Sequence, residues 1–319
     1  MRSAALGLAL LLVACDPASD PDAGTDASVD AGAMDAGTDA GPPGCDAGAD
    51  PFSCESLERD PSCGAAGAWV VGVSGQVVDD TGAPIEGAFT QLCLRSYPDD
   101  ALTCLAPPMT AVDGSFAIVI PEAFRCLSRA VMRVLAPTRP LGTTYCPVEF
   151  AAGTEGIVAL DDPFVLYAVS PPAGLPDPGD LTMPREIAFA DGLKMTFAPD
   201  DLSLSTDYAD LASGVVGPSA TECFAAPGAL DGAYVFWPET SIEGGTPVSI
   251  PNTGALAPGT VVDLFVLGGL QIYLLDGTLL EEAELATIGT ATVSTDGASI
   301  DSDVGTLVPA LNWLAWKAR

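Results

Sequence analysis

Residues 73–88 of this chain read VSGQVVDDTGAPIEGA and residues 110–121 read TAVDGSFAIVIP, and these two stretches decide its fold. Around the first, a small apolar residue recurs at every second position: Val71, Val73, Gly75 and Val77. This run ends in turn-forming residues at 79–82, which is typical of a strand that enters a tight turn. The second has a turn signal at 113–114, followed by large apolar residues on one face of a strand: Phe116, Ile118 and Ile120. Both stretches predict short β-strands.

Together the two stretches resemble carboxypeptidase regulatory-like domains. The shared features are a strand, an acidic-Gly turn, a Pro-hydrophobic pair, Gly-Ala before the next strand, and a Thr-x-x-Asp-Gly-x-Phe-x-Ile segment at 110–118. The resemblance implies a seven-stranded, prealbumin-like β-sandwich over residues 69–169. It implies no catalysis, because this domain is an accessory module, and a chain with no histidine cannot supply the His-ligated zinc of the peptidases it accompanies.

A second β-sandwich is predicted over residues 170–319. Prolines at 171–172 and 176–178 mark a hinge, and short apolar segments separated by Asp-Gly turns follow it. The predicted strands are 186–189, 194–197, 234–237, 247–250, 261–266, 271–275, 287–293 and 307–316. The apolar stretch 264–275 is interrupted by two glycines, so it is predicted to be a hairpin and not a membrane span. The expected fold class is all-β.

The N-terminus has the form of a bacterial lipoprotein signal. A short positive region and an apolar run of about ten residues lead into Leu12-Val13-Ala14-Cys15, which resembles the lipobox. Residues 1–14 are therefore predicted to be the signal peptide, and Cys15 the acylated residue that binds membrane lipid. Its acyl chains would bury enough methylene groups for stable anchoring. An ordinary secretory signal with an incidental cysteine is the alternative.

Residues 15–68 are predicted to be a lipidated, disordered acidic tether that ends in a Cys-containing neck at 50–68. Asp-Ala-Gly occurs five times between residues 22 and 48. Such small side chains bury too little area to offset chain entropy, and the like charges repel each other. A calcium loop is not supported, since the EF-hand spacing is absent. The tail resembles those of myxobacterial and related proteobacterial surface lipoproteins.

The cysteines indicate an oxidising compartment. Of the nine in the chain, eight remain once Cys15 is assigned to the lipid: Cys45, Cys54, Cys63, Cys93, Cys104, Cys126, Cys146 and Cys223. An even set in an exported protein predicts up to four disulfides. The expected pairs are Cys93–Cys104, which flank a turn-like loop, and Cys126–Cys146, which flank a strand and the loop after it. Cys54 and Cys63, which flank Asp60-Pro61, are also expected to pin the neck by a disulfide.

Composition excludes several functional classes. The chain has 43 acidic and 11 basic residues, for a net charge of −32, which excludes a non-specific nucleic-acid binder. The absence of histidine removes Ser-His-Asp and Cys-His catalysis and His-ligated zinc or haem. No nucleophile elbow, P-loop or dinucleotide fingerprint is present. No catalytic, cofactor-binding or metal-binding residue is therefore predicted, and the chain is expected not to be an enzyme.

Each of four groups of side chains has two possible interpretations. One group could hold an anion or could balance charge: Arg125, Arg129, Arg133 and Arg139. A second could bind Ca²⁺ or lie in solvated turns: Asp296, Asp301 and Asp303. A third could serve a glycosidase or be solvated: Glu281, Glu282 and Glu284. The last could stack on sugar rings or lie in the core: Trp237, Trp313 and Trp316. Trp313 and Trp316 would face opposite sides of a strand, so at least one is expected in the core.

The sequence as a whole predicts a non-enzymatic, lipid-anchored protein of a Gram-negative cell envelope, on the inner or the outer membrane. The predicted role is structural, adhesive or binding, toward an unknown envelope protein or polysaccharide. The alternative is a carbohydrate-binding or carbohydrate-processing envelope protein.

Overall fold

Short strands rich in β-branched and aromatic residues, separated by Gly and Asp turns, make up the described chain. The structure is a computed structural model that describes residues 50–174, 182–199, 201 and 210–319. These ranges contain eighteen strands, two short 3-10 helices and no α-helix, which confirms the all-β prediction. No helix within them has the length and hydropathy of a membrane crossing. The signal peptide, Cys15, Cys45, the tether to residue 49 and the prolines at 176–178 lie outside the described residues.

The first eight strands form one connected sheet that folds into two layers. The strands are β1 (Ala68–Asp79), β2 (Phe89–Ser96), β3 (Leu102–Cys104), β4 (Ser115–Val119), β5 (Cys126–Leu135), β6 (Thr144–Val148), β7 (Glu155–Ala159) and β8 (Phe164–Leu166). One layer has the order β3-β2-β5-β6, and in the other β1 lies between β4 and the parallel pair β7 and β8. Only the first two residues of β1 pair with β5, so the layers face each other across a core.

The first strand departs from its predicted alternation at a β-bulge. The register of β1 against β7 shifts between Val70 and Gly72. As a result Val70, Val73 and Val77 lie in the core between the layers, whereas Val71 lies in a separate cluster with Trp69. The prediction that Val71 shares a face with Val73 and Val77 is wrong, because the extra residue of the bulge reverses the alternation on one side of it.

The turns predicted from the two opening stretches are confirmed. The Asp79 carboxylate accepts hydrogen bonds from the Thr81 hydroxyl at 2.6 Å and from the N–H groups of Thr81 and Ala83, both at 3.0 Å. At the second turn, Gly114 has φ +76° and its Cα faces the Val77 carbonyl oxygen so closely that no side chain would fit. The residues after it are buried in the core as predicted: Phe116, Ile118 and Ile120.

The remaining ten strands form a second sheet. They are β9 (Pro172–Gly174), β10 (Arg185–Phe189), β11 (Lys194–Phe197), β12 (Ala212–Val216), β13 (Gly232–Thr246), β14 (Val248–Pro251), β15 (Val261–Leu267), β16 (Leu285–Val293), β17 (Ser299–Ser302) and β18 (Val308–Ala318). Their order is β12-β13-β18-β15-β16-β17-β14-β11-β10-β9. The sheet curls on itself, since Phe189 near one edge packs edge-on to Phe236 near the other, with 6.1 Å between ring centroids. Two register shifts in β13 allow that long strand to bend.

One predicted strand of the second half does not form. Residues 271–275 contain only an isolated bridge, Tyr273 to Leu279, and the predicted 264–275 hairpin is wrong. The chain instead leaves β15 at Leu267, runs through residues 268–284, here called the hairpin loop, and returns as β16. Gly268 closes the base of this loop, donating to the Glu284 carbonyl oxygen at 2.7 Å and accepting from the Ala283 N–H at 3.0 Å. The glycines therefore mark a departure from the sheet, and the tight turn comes later, at 274–277.

Three disulfides link the described cysteines. Cys93–Cys104 joins β2 to β3 as predicted. The predicted Cys126–Cys146 bridge is wrong: Cys126 bonds to Cys63 of the neck and Cys146 to Cys223 of the second half. The reason is that Cys126 begins β5 beside the start of β1, where the neck arrives, while β6 carries Cys146 toward the second sheet. Cys54 is exposed and forms no disulfide with a described residue, so the predicted bridge of Cys54 and Cys63 within the neck is also wrong. Disulfides of this kind are typical of proteins that fold outside the cytosol.

Candidate functional site

The predicted arginine and glutamate groups meet each other where the two sheets join. Arg129 donates to Glu281 at 2.6 Å, and Arg95 lies 3.5 Å from Glu282. The Glu282 side chain is only 8% exposed, so it is held in this contact and is not a solvated loop carboxylate. Glu284 accepts from the backbone N–H of Glu281 at 3.1 Å. Glu281 and Glu282 are thus paired with arginines of the first sheet, an arrangement unlike the pair of carboxylates that glycosidases use.

At the centre of this junction is a buried network of three side chains. The Tyr145 hydroxyl donates to the Glu239 carboxylate at 2.6 Å and accepts from Arg133 Nε at 2.7 Å. Arg133 Nη2 reaches the other Glu239 oxygen at 2.9 Å, which closes the triangle. Burial, followed by the nearby Glu239 charge, raises the pKa of the Tyr145 phenol above its ordinary value. The phenol therefore remains a hydrogen-bond donor, and Arg133 is neutralised within the protein.

The two other predicted arginines have different surroundings. Arg125 is buried, donates to the Ile120 carbonyl oxygen at 2.9 Å and pairs with Glu55 of the neck. Arg139 lies on the surface of the first half, where its charge contributes to lowering the pKa of Asp79. The arginines hence do not converge on one anion site. Three of them are counter-charges for carboxylates of the neck or of the second sheet.

Two further features hold the sheets together. The Cys146–Cys223 disulfide crosses the junction, and Trp313 Nε1 of β18 donates to the Thr143 carbonyl oxygen at 2.6 Å. Trp313 is 1% exposed and packs edge-on to Tyr167 and Phe224. The junction therefore combines apolar contacts, a covalent link and ion pairs.

The tryptophans are not arranged as a sugar platform. Trp313 is a core residue at the junction, whereas Trp316 packs on the opposite side of β18 against Tyr234, with 5.5 Å between ring centroids. The prediction that these two residues face opposite sides and that one is in the core is confirmed. Trp237 is half-buried and packs against the same junction cluster as Trp313.

The three predicted aspartates serve separate hydrogen-bond networks. Asp296 accepts from Ser294 and the Ala298 N–H in a turn, and Asp301 accepts from Ser249 and Ser299. Asp303 accepts the hydroxyls of Thr290 at 2.6 Å and Thr292 at 2.8 Å, and these bonds lower its carboxyl pKa. Within the described residues, no three acidic or cysteine side chains are grouped to hold a metal ion.

An open groove runs beside the hairpin loop. It has a volume of about 490 Å³ and lies between β13, the loop and the start of β18. Its walls combine apolar and polar side chains: Ile242, Leu274, Leu275, Pro309, Tyr273, Ser241, Glu243 and Asp201. A second groove of about 210 Å³ continues on the other side of Leu275 toward Ile288 and Leu307. The loop thus projects its tip between two adjoining cavities.

The loop exposes large apolar side chains beside this groove. Tyr273, Leu275 and Leu279 are 53%, 50% and 52% exposed, while Ile272 and Leu280 are buried beneath them. A strand or hairpin that covers a core usually carries polar residues on its outer face. Here both faces are apolar, which is typical of a surface that meets a partner. The exposed carboxylate of Glu243 adds negative charge to the groove.

Sequence analysis did not select Tyr273 or Leu275, although a signal was present. In the run Ile272-Tyr273-Leu274-Leu275 apolar residues occupy adjacent positions, so no strand register could bury all of them on one face. The pattern predicts one arm of a hairpin, whereas the structure exposes Tyr273 and Leu275 on an outer apolar face. An outer apolar face was the overlooked alternative.

No protein-family model and no curated protein matches this chain. Among solved structures it is similar to a protein of Bacteroides uniformis described as a "putative carbohydrate binding protein", with 11% sequence identity and a TM-score of 0.19. That similarity covers 79% of this chain and 99% of the other.

Proposed function

We propose that this chain is a lipid-anchored protein of the bacterial cell envelope that binds a partner and catalyses no reaction. The lipobox-like residues 12–15 support the anchor, and the three disulfides support an oxidising compartment. Two of the carboxylates that could have suggested catalysis, Glu281 and Glu282, are paired with arginines across the junction of the two sheets. A rigid pair of sheets on an acidic tether is suited to presenting a binding surface.

The observation that carries the binding role is the groove beside the hairpin loop. It is the place where exposed aromatic and aliphatic side chains adjoin an open cavity of about 490 Å³, a size typical of ligand sites. Loops held by a rigid scaffold commonly carry recognition. Tyr273 and Leu275 are the residues we assign to first contact with the partner.

Photo-crosslinking in intact cells tests this assignment. A benzophenone amino acid is placed at Tyr273 of the full chain, and at Val304 as a control, because Val304 is fully exposed but does not line the groove. We expect a discrete crosslinked species from position 273 and none from 304. Equal crosslinking at both positions, or none at either, would contradict the groove as the binding surface.

A second candidate is carbohydrate binding at the same groove. It is favoured by one observation: the exposed Tyr273 ring lies in a groove with Ser241 and Glu243, and an aromatic face with nearby hydroxyl and carboxylate groups can hold a sugar ring. Titrating the full chain with soluble peptidoglycan fragments and neutral polysaccharides separates the candidates. Saturable binding that is lost in Tyr273→Ala and kept in Tyr273→Trp would support it, and binding unaffected by Tyr273→Ala would exclude this site.

The anchor has its own test. Metabolic labelling with palmitate should mark the wild-type chain and not Cys15→Ala, because only the cysteine of the lipobox is acylated. Membrane fractionation of the same cells should show the variant released into a soluble fraction. Equal labelling of both chains would disprove the assignment of Cys15.

A further inference from the structure

Within the part of the chain that the structure describes, the outer edge of β4 pairs with no other strand. The Val77 N–H donates to the Gly114 carbonyl oxygen and the Ile120 N–H to the Val71 carbonyl oxygen, both at 2.9 Å. These bonds fix the antiparallel ladder, in which alternate residues of β4 bond to β1. The N–H and C=O groups of Ala117 and Val119 therefore point away from β1. No other described strand pairs with β4.

An apolar groove of about 280 Å³ lies along this edge. Its opposite wall is the segment 105–108, whose hydrogen bonds run to β2: Leu105 N–H to the Leu92 carbonyl oxygen and Thr90 N–H to the Pro108 carbonyl oxygen. Prolines at 107 and 108 have no N–H, so this segment cannot complete a ladder with β4. Because of these two prolines, the neighbouring segment 105–108 leaves the outer edge of β4 open.

The residues that line the groove are apolar and uncharged. Its lining consists of Leu105, Ala106, Pro108, Ala117, Ile118, Val119 and Pro121. The segment that connects the proline wall to β4 adds two strongly exposed side chains, Met109 at 64% and Val112 at 74%. Natural proteins usually protect an open edge with a charge, a bulge or a covering segment. None of the residues that line this groove is charged.

We propose that this groove binds an extended, uncharged segment of a partner protein, which adds a strand to the outer edge of β4. Donors and acceptors at every second residue of an edge are the complement of a peptide backbone. The chain carries a net charge of −32, yet this groove has no charge, so its electrostatics match an apolar segment and not the Asp-Ala-Gly repeats of this chain's own tether.

Binding of a model strand tests the proposal. The probe is a fluorescent, uncharged peptide of alternating threonine and valine with capped ends, and the matched control is the same peptide with alternate backbone nitrogens methylated. The protein is the full chain in detergent. We expect saturable binding of the first peptide only, together with slowed hydrogen exchange at Ala117 and Val119, because the ladder needs main-chain donors. Equal binding of both peptides would overturn the proposal.

A pair of edge variants gives the second readout. Val119→Pro removes an outward N–H that β1 does not use, so the fold should tolerate it. Val215→Pro is the control, since Ser213 of the same strand donates outward to Ser170 and residue 215 shares that orientation on the other sheet. We expect Val119→Pro to weaken peptide binding about tenfold, the equivalent of one or two main-chain hydrogen bonds, and Val215→Pro to leave it unchanged. Unchanged binding in Val119→Pro would overturn the proposal.

Evidence for either of two other occupants of the groove would also overturn the proposal of a partner segment. Dimerisation that Val119→Pro abolishes, without any peptide binding, would identify a second copy as the occupant. Protection of the Ala117 and Val119 amides in the peptide-free chain, lost when residues 16–49 are deleted, would identify the chain's own tether.

Discussion

At the scale of single residues, the Glu239 carboxylate is held in a largely buried ion pair. It accepts from Tyr145 and Arg133 while its side chain is only 12% exposed. Glu239→Gln would leave the Arg133 charge without a counter-charge, and we expect a loss of about 3 kcal/mol in the free energy of unfolding. Urea titration at pH 7 measures it. In the exposed pair Lys194–Glu186, Glu186→Gln should change stability by less than about 0.5 kcal/mol, and an equally small effect at Glu239 would contradict the buried network.

The second prediction at this scale is how the contribution of Asp79 to stability depends on pH. The Thr81 hydroxyl and then the Ala83 N–H hold the pKa of Asp79 below its ordinary value of 3.8. A lowered pKa means that the charged form stabilises the fold above about pH 4, and that this contribution is lost as the pH falls through the folded-state pKa. Asp79→Ala should therefore melt at a lower temperature than wild type at pH 7, and the difference should shrink as the pH falls below 4 and the wild-type carboxylate takes up a proton. Asp80→Ala, which breaks none of these turn bonds, is the control. A difference between Asp79→Ala and wild type that does not shrink as the pH falls below 4 would show that the loss comes from elsewhere.

At the scale of elements, the Cys146–Cys223 disulfide should stabilise the fold more than the hairpin disulfide. It links β6 to the segment before β13 across 77 residues, whereas Cys93–Cys104 spans 11. Chain entropy predicts that replacing both cysteines by serine costs about 4 kcal/mol for the first bridge and about 3 kcal/mol for the second. Thermal unfolding of the two double variants compares them. A larger loss from Cys93→Ser with Cys104→Ser would contradict the role assigned to the junction.

At the scale of the whole molecule, limited proteolysis should separate the two sheets in a way that depends on reduction. We expect the first cuts before about residue 50 and the next at the proline-rich stretch that ends near 179, since both segments are rich in Pro, Gly and Asp. Because Cys146 and Cys223 lie on opposite sides of the second cut, the two fragments should stay together on a denaturing gel without reductant and separate on the same gel with it. Fragments that separate without reductant would contradict the disulfide across the junction.

Much of the fold could be predicted from local pattern. The turns at 79–82 and 113–114 follow from Asp and Gly chemistry alone, and the alternation from Phe116 to Ile120 is a property of one strand. The hairpin disulfide was also accessible, because its two cysteines are close in sequence. Each of these features depends on residues a few positions apart, so no knowledge of tertiary packing is needed.

The sequence by itself therefore determined the all-β class, the positions of most strands and their turns, and the export chemistry that its cysteines indicate. Only the tertiary structure decided which cysteines of distant segments pair, that arginines of the first sheet meet glutamates of the second, and that the hairpin loop turns Tyr273 outward. The physical reason is the separation along the chain of the residues that each feature depends on. Turn formation and side-chain alternation are set by neighbours along the chain, whereas pairing across the junction depends on how the two sheets fold and dock. A single bulge, such as the one between Val70 and Gly72, is enough to change which side of a strand its residues occupy, and the departure at Gly268 takes the chain out of the sheet.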